Sequence, residues 1–308
     1  MSSLLSLPVV VSALELGFIY ALIALALLIS YSILNIADLS TDGCFTLGCA
    51  VGAQVAIAGH PILALFAAML AGVCSGYIMA FLQTKLGVES ILAGIIVNTG
   101  LYTVNLAVMG FSSNLSLFKS ETIYSLVKDV FGAAWYKLIM SIIIVVIVCL
   151  IIVWFLGTRL GLSIRATGDN SDMVKASSIN PGFTITVGLC ISGSLTALSG
   201  CLIGQYQKSC DINLGTGMVT IALASLIIGE TLVGKSSMFR RILGVIIGSC
   251  LYRFAIAIAL RLHVPAECLK LVSAVIVAVA IASPYLKQQI AFQKRKMAAA
   301  SSGKKVQN

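Results

Sequence analysis

The chain has 308 residues, of which 59% are hydrophobic and only 10% charged, and its formal net charge is +9. Soluble domains carry about 25% charged residues, so a chain this apolar is excluded from the water-soluble enzymes and binding modules. A polytopic membrane protein remains, and a nucleic-acid partner would need a soluble basic face that the composition does not provide.

Apolar runs recur near 12–30, 43–59, 61–83, 91–110, 138–157, 183–206, 217–233, 241–260 and 269–285. At about 17–25 residues each they are long enough to cross a bilayer, which predicts an all-α fold of about 8–10 transmembrane helices. The N-terminal stretch "MSSLLSLPVVVSALELGF" has no basic segment ahead of its apolar run, so it is not a cleavable signal and the first helix stays. Segments 43–59 and 217–233 are short and interrupted by glycine, as half-spans or broken helices would be. The moderately polar stretch 111–137 is long enough for an amphipathic helix on the membrane surface, covering the outer mouth. Residues 157–182 form the longest polar connection. Within it "NSDMVKASSI" predicts a short helix capped by Asn170 or Ser171, with Asp172 in its first turn.

The basic residues set the orientation. A tail, 287–308, carries six Lys and Arg and is expected in the cytoplasm. Counting back through nine spans puts the N-terminus outside and the connections 84–90, 157–182 and 234–241 inside. Together with the tail they hold thirteen of the twenty Lys and Arg. The lipid bilayer is therefore the surrounding partner; the basic excess reflects topology, with anionic lipid a minor partner. The Cys residues are scattered singly, and neither His60 nor His263 has metal-ligand spacing, so no metal or cofactor is implied.

An internal repeat links "LAGVCSGYIMAFLQTKLGVESIL" (70–92) with "LGVIIGSCLYRFAIAIALRLHVPAECL" (243–269). Each opens on two glycines four apart, Gly72 and Gly76, then Gly244 and Gly248, and each closes on a similar ending. The copies fall in the third and eighth spans, an odd number of crossings apart, so they run in opposite directions. This inverted repeat, with halves about 34–110 and 205–285, places a pathway near the midplane between them. Residues 1–286 then form one transmembrane domain.

Candidate pathway or gate residues follow from polarity inside apolar runs. Arg253 falls mid-helix, where a charge must face protein or a water-filled cavity. It is either a pathway residue paired with Glu230 or Glu15, or a tie between helix ends or backbone carbonyls at a dimer seam. Asn98, Thr99, Asn105, Gln205 and Gln207 either line a wet path or bond helices together. Asp38, Asp42 and Asp211 sit at the mouths of the repeat segments. Asp38 and Asp211 hold equivalent places, which fits capping or gating of broken helices better than catalysis.

"GETLVGKS" matches a phosphate-loop pattern at Gly229, Gly234, Lys235 and Ser236. Such a loop follows a strand and opens a soluble helix, whereas Gly229 ends an apolar span and another span follows at once. The match is read as an accident, with Lys235, Arg240 and Arg241 acting as inside-facing anchors. Signatures of intramembrane proteases and hydrolases are absent, so no catalytic residue is assigned.

Four stretches, "LNIADLSTDGCFTLGCAVGAQ" (34–54), "LAGIIVNTGLYTVNLAVMG" (92–110), "RATGDNSDMVKASSIN" (165–180) and "QYQKSCDINLGTGMVTIALASLIIGE" (205–230), resemble permease subunits of bacterial ATP-binding-cassette importers. The group is that of the branched-chain amino acid and ribose permeases, and within it the tryptophan- or tyrosine-type uptake branch. The resemblance spans about 14–285. It implies a multi-pass protein of the bacterial inner membrane with a cytoplasmic C-terminus, passing a small solute, an aromatic or branched-chain amino acid. It also implies a second permease copy in a homodimer, a pair of cytoplasmic ATPases that hydrolyse the ATP, and an extracytoplasmic solute-binding protein. The ATPase contact would fall on 157–182. There Arg165 and Asp169 would pair with the ATPase and Gly168 would permit the turn before the short helix. Asn170 would cap that helix, and Met173 and Val174 would be apolar knobs for the ATPase. The rival reading is a stand-alone secondary transporter or channel of the same architecture, which would not need that polar connection.

Overall fold

The computed structural model describes residues 7–131, 135–234 and 236–261, and within the last apolar segment residues 268, 271, 272, 274–276, 278, 279 and 282. Helix α1 (Leu7–Leu27) runs on through a π-helical turn, Leu28–Ile33. It stops at Asn35, whose φ of +56° is a left-handed conformation that asparagine tolerates. An irregular stretch, 34–40, leads into α2 (Thr41–Ile57), α3 (Pro61–Thr84) and α4 (Ser90–Val108). Strand β1 (Asn114–Ser116), α5 (Ile123–Phe131), α6 (Tyr136–Gly157), α7 (Arg159–Asp169) and α8 (Ser171–Ala176) follow. The chain continues through α9 (Pro181–Gln207), β2 (Ser209–Asp211), α10 (Met218–Val233) and α11 (Met238–Arg261).

Six of these helices, α1 with its π turn, α3, α4, α6, α9 and α11, are long and apolar enough to cross a membrane. Helices α2 and α10, of 17 and 16 residues, are the two segments set apart in the sequence as short and interrupted. The protein is thus an all-α, multi-pass membrane protein. The expected ninth span, 269–285, falls largely outside the described residues, and the tail 287–308 wholly outside them. In the segment 111–137 the expected amphipathic helix is present but short, and a strand precedes it. Before α6 begins at Tyr136, only Ile123–Phe131 is α-helical among its described residues, and β1 pairs antiparallel with β2, Leu115 opposite Cys210. Each short strand thereby satisfies backbone groups that the other would leave open.

Helix α9 lies at the centre, buried along most of its length, while α4 and α6 bury little more than a quarter of theirs. Small residues make this possible, since lipid supplies no hydrophobic drive between helices and close backbone packing must replace it. Gly72 of α3 and Gly193 of α9 face each other, and a Cβ on either would strike the other's carbonyl. Gly76 meets Leu189 in the same seam, Gly48 of α2 meets Ala197, and Gly200 meets Phe45.

The two halves run in opposite senses. Helix α3 packs on α9 as α11 packs on α1. Helix α2 runs towards the end bearing the strands, where Gln54 Nε2 donates to the Val108 carbonyl at 2.8 Å. Helix α10 starts beside the start of α2 and runs the other way, to the end bearing α7 and α8. These opposite directions agree with the inverted repeat expected from the sequence. Those pairs nevertheless meet different partners: Gly72 and Gly76 pack on α9, whereas Gly244 and Gly248 pack on Gly229 and Ser225 of α10.

Candidate translocation and coupling sites

The irregular stretch before α2 is ordered by its own side chains. Asp38 is buried and accepts from the backbone N–H of Ser40 at 2.9 Å and from its hydroxyl at 2.6 Å. Thr41 Oγ1 donates back to the Asp38 carbonyl at 3.0 Å. This is an Asx turn that launches the helix. Asp211 makes the matching contact in the other half, accepting from Asn213 N–H at 2.8 Å.

Between the two turns lies Asp42. It stands in the first turn of α2, yet its carboxylate accepts from Gly217 N–H and Val219 N–H at the start of α10, both at 2.9 Å. The N-cap residue of α10, Gly217, has φ +87° and no side chain, so the cap comes from the opposite half of the repeat. Thr46 Oγ1 adds an acceptor for Gly215 N–H at 3.1 Å. One carboxylate therefore faces the positive ends of two short helices at once.

The remaining polar residues do not all share one face: Asn98 and Asn105 do, and the others lie apart from them. Asn105 Nδ2 donates to the Gly43 carbonyl at 3.0 Å, leaving its buried Oδ1 without a partner, and Asn98 lies against the same glycine. Gln205 sits near the strand end, where Oε1 accepts from Ile123 N–H at 2.8 Å and Nε2 donates to the Pro61 carbonyl at 3.3 Å. Thr99 is exposed and bonds within its own helix, and Gln207 is exposed.

The charges are arranged differently from the pairing expected in the sequence. Glu230 binds Arg241, 2.9 Å apart and largely buried, and Ser32 donates to Glu230 at 2.8 Å while contacting the same arginine. This cluster ties the π turn, α10 and α11 at the end that carries α7 and α8. Glu15 accepts from the Tyr206 hydroxyl at 2.7 Å. Arg253 pairs with neither, and instead its guanidinium stacks on the Tyr20 ring, 3.6 Å from the centroid. Arg241 was legible only as a topology anchor, because nothing local marks the hairpin that folds it onto Glu230.

In the polar connection, Asn170 caps α8, accepting from Asp172 N–H at 3.0 Å and Met173 N–H at 3.1 Å, with Asp172 in the first turn as the sequence indicated. Two expectations change here. Gly168 is not a turn residue; it lies inside α7, pressed on the Ile33 carbonyl, and its own carbonyl accepts from Asn35 Nδ2 at 2.9 Å. Val174 is buried at 3% exposure within the chain, while Met173 stands 68% exposed beside the exposed Asp169 and half-buried Arg165. Thus α7 rests on the very residues that lead into Asp38 and Asp42. Gly229 of the phosphate-loop pattern is mid-contact in α10, against the Gly244 carbonyl, so its lack of a side chain serves helix crossing. Lys235 lies outside the described residues.

With this geometry in view, residues 9–282 match the family described as branched-chain amino acid transport system / permease component. The tyrosine transport system permease protein of Clostridioides difficile (strain R20291) is 34% identical over 87% of this chain and 88% of its own length. An uncharacterized protein of Rickettsia prowazekii (strain Madrid E), RP368, is 32% identical over 89% of this chain and 97% of its own. The ribose import permease protein RbsC of Escherichia coli (strain K12) is 28% identical, over 70% and 67%. Among solved structures, an inward-facing transporter described as of the metal-chelate ABC type shares the fold. Its TM-score is 0.51 at 18% identity, over 91% of this chain and 85% of that one.

Proposed function

Because the chain belongs to the branched-chain amino acid transport permease family, and is thus the permease component of an ABC transporter, we propose that it forms the pathway of an ATP-driven, binding-protein-dependent importer of an amino acid, aromatic or branched-chain. The observation that carries this reading is the near full-length similarity to a tyrosine transport system permease protein. Two copies form the membrane dimer in the bacterial inner membrane. An extracytoplasmic solute-binding protein delivers the solute to the strand end, and a pair of cytoplasmic ATPases docks at the end bearing α7 and α8. ATP is hydrolysed by those partner chains.

Contacts within the chain supply a route for the work. ATPase closure presses on Met173, Asp169, Asn170 and Arg165; α7 leans through Gly168 on Ile33 and Asn35. The next residues are the Asp38 turn and Asp42, which holds both short helices. Packed contacts of this kind switch between discrete arrangements and transmit a push, as a flexible tether cannot. Asp211 would turn the chain at the outer mouth, Glu230 would hold the inner end closed, and Asn98, Asn105 and Gln205 would keep the helices in register. The test is uptake of radiolabelled tyrosine and leucine by vesicles containing the permease, the ATPase and the binding protein. Uptake requiring all three and ATP is expected. Uptake driven by an ion gradient without ATP would overturn the reading in favour of a secondary transporter.

A further inference from the structure

Among the described residues, Arg253 is a charged side chain within a spanning helix that has no counter-charge. The buried or half-buried acids of the surrounding helices are engaged elsewhere: Glu15 by Tyr206, Glu230 by Arg241, and Asp42 by the start of α10. No carboxylate among the described residues lies within ion-pair distance of its guanidinium, and its buried Nε has no partner. An arginine so placed is expensive unless an anion or water reaches it.

The surroundings provide room for one. Helices α1 and α11 cross tightly where Gly17 meets Cys250, a Cβ on that glycine falling 2.9 Å from the Cys250 Cα, and Ser249 Oγ donates to the Gly17 carbonyl at 2.7 Å. From that crossing the helices diverge towards the strand end, enclosing a cavity of about 340 Å³ lined by Ser12, Leu16, Arg253, Ile256 and Arg261 among others. The walls are apolar and the polar groups few and convergent, as in small-molecule sites. Arg253 points along its helix towards the crossing and stacks on Tyr20, whose ring in turn stacks on Phe45, centroids 6.2 Å apart and planes 10° apart. Phe45 stands one turn beyond Asp42 on α2, so whatever binds the guanidinium is connected by packed rings to the junction of the short helices.

We propose that Arg253, held on Tyr20 at the bottom of the α1–α11 cavity, is a transient binding site for an oxyanion, namely the carboxylate of the amino acid in transit. A guanidinium already stacked on one face still offers its edge to a carboxylate, a geometry that lysine cannot reproduce. The proposal rests on the amino-acid reading above and deepens it by assigning the group recognised. Its occupant is the solute; the phosphate of an anionic lipid offers the same chemistry, and the experiment separates the two.

The full-length chain in nanodiscs is irradiated with p-benzoylphenylalanine or with its carboxamide, and the labelled peptides are mapped. The acid is expected to label 9–16 and 253–261 about tenfold more than the amide does, the preference a single charge-assisted contact confers. Arg253→Gln should abolish that preference, and Arg253→Lys should retain part of it. Equal labelling by acid and amide, or an undiminished preference in Arg253→Gln, overturns the site. Native mass spectrometry is run on the same samples. A phosphatidylglycerol molecule retained by the wild type, lost from Arg253→Gln, and blocking acid labelling when added would also overturn it, by assigning the site to lipid. Tyr20→Phe, which keeps the ring, should label as the wild type, and its melting curve together with that of Arg253→Gln shows that both variants are folded. ATP-driven uptake is measured in parallel, so that absence of any amino-acid transport refutes the function reading independently of where the probe attaches.

Discussion

At the scale of single residues, Asp42 is the contact on which the centre depends. Its carboxylate replaces a missing cap on α10 and does so from another helix, so removing it frees backbone donors in a place with little water. Loss of an N-cap costs about 0.5–2 kcal/mol, and the cross-helix setting puts Asp42→Ala at the upper end of that range. Thermal unfolding of the purified permease should show the drop, with Asp42→Asn intermediate because its side-chain oxygen still accepts. A variant as stable as the wild type would mean that water supplies the cap. Glu230 and Arg241 make a second residue-scale case. Breaking a buried pair typically costs about 3–5 kcal/mol, so Glu230→Gln should lower the melting temperature more than Asp42→Asn does. Lys175→Ala, which removes an exposed partner of Asp172, should leave it unchanged.

At the scale of elements, the helices are held by backbone proximity. In the α3–α9 seam Gly72 and Gly193 occupy each other's only space, and Gly193→Ala must push the helices apart or abolish the fold. Gly100 of α4 has open space around it, and Gly100→Ala should be neutral or slightly stabilising, since alanine suits a helix better than glycine. Yield of monodisperse protein after size exclusion distinguishes these outcomes; equal yields would deny the seam its role. Helix α8 separates surface from core within two adjacent residues. Met173→Glu is expected to leave the permease folded while ATPase co-purification or ATP-dependent uptake falls by about tenfold, an interface loss near 1.4 kcal/mol. Val174→Ala should instead lower stability, because that side chain is packed within the chain. Were Met173→Glu to transport normally, the ATPase contact would lie elsewhere, with deletion of the basic tail the next variant to measure.

At the scale of the whole molecule, the two short helices begin side by side at Asp42, and α7 rests on Ile33 and Asn35, which precede one of those beginnings in the chain. The chain by itself is expected to bind and hydrolyse no ATP, because Gly229 of the phosphate-loop pattern is consumed by the α10–α11 crossing. Purified permease should show no nucleotide-dependent shift in melting temperature, and Lys235→Ala should leave coupled transport intact. A loss of transport as complete as that from disabling the ATPase would restore the phosphate-loop reading.

Hydropathy alone determined that the chain crosses a membrane many times, because hydrocarbon demands about 20 apolar residues per span and leaves a signal that no folding can hide. The cap of the short helix α8 was likewise narrowed to Asn170 or Ser171, since a cap depends on residues a few positions apart, and the structure selects Asn170. What only the tertiary structure decided are the partners across long separations: Asp42 with the start of α10, Glu230 with Arg241, Arg253 with Tyr20, and Gly168 with Ile33. A polar side chain in an apolar run announces that it needs a partner, but several partners of the same chemistry lie within the sequence. Which one it meets is fixed by how closely the glycine-bearing helices can approach, a property of surfaces in three dimensions rather than of residues in a row.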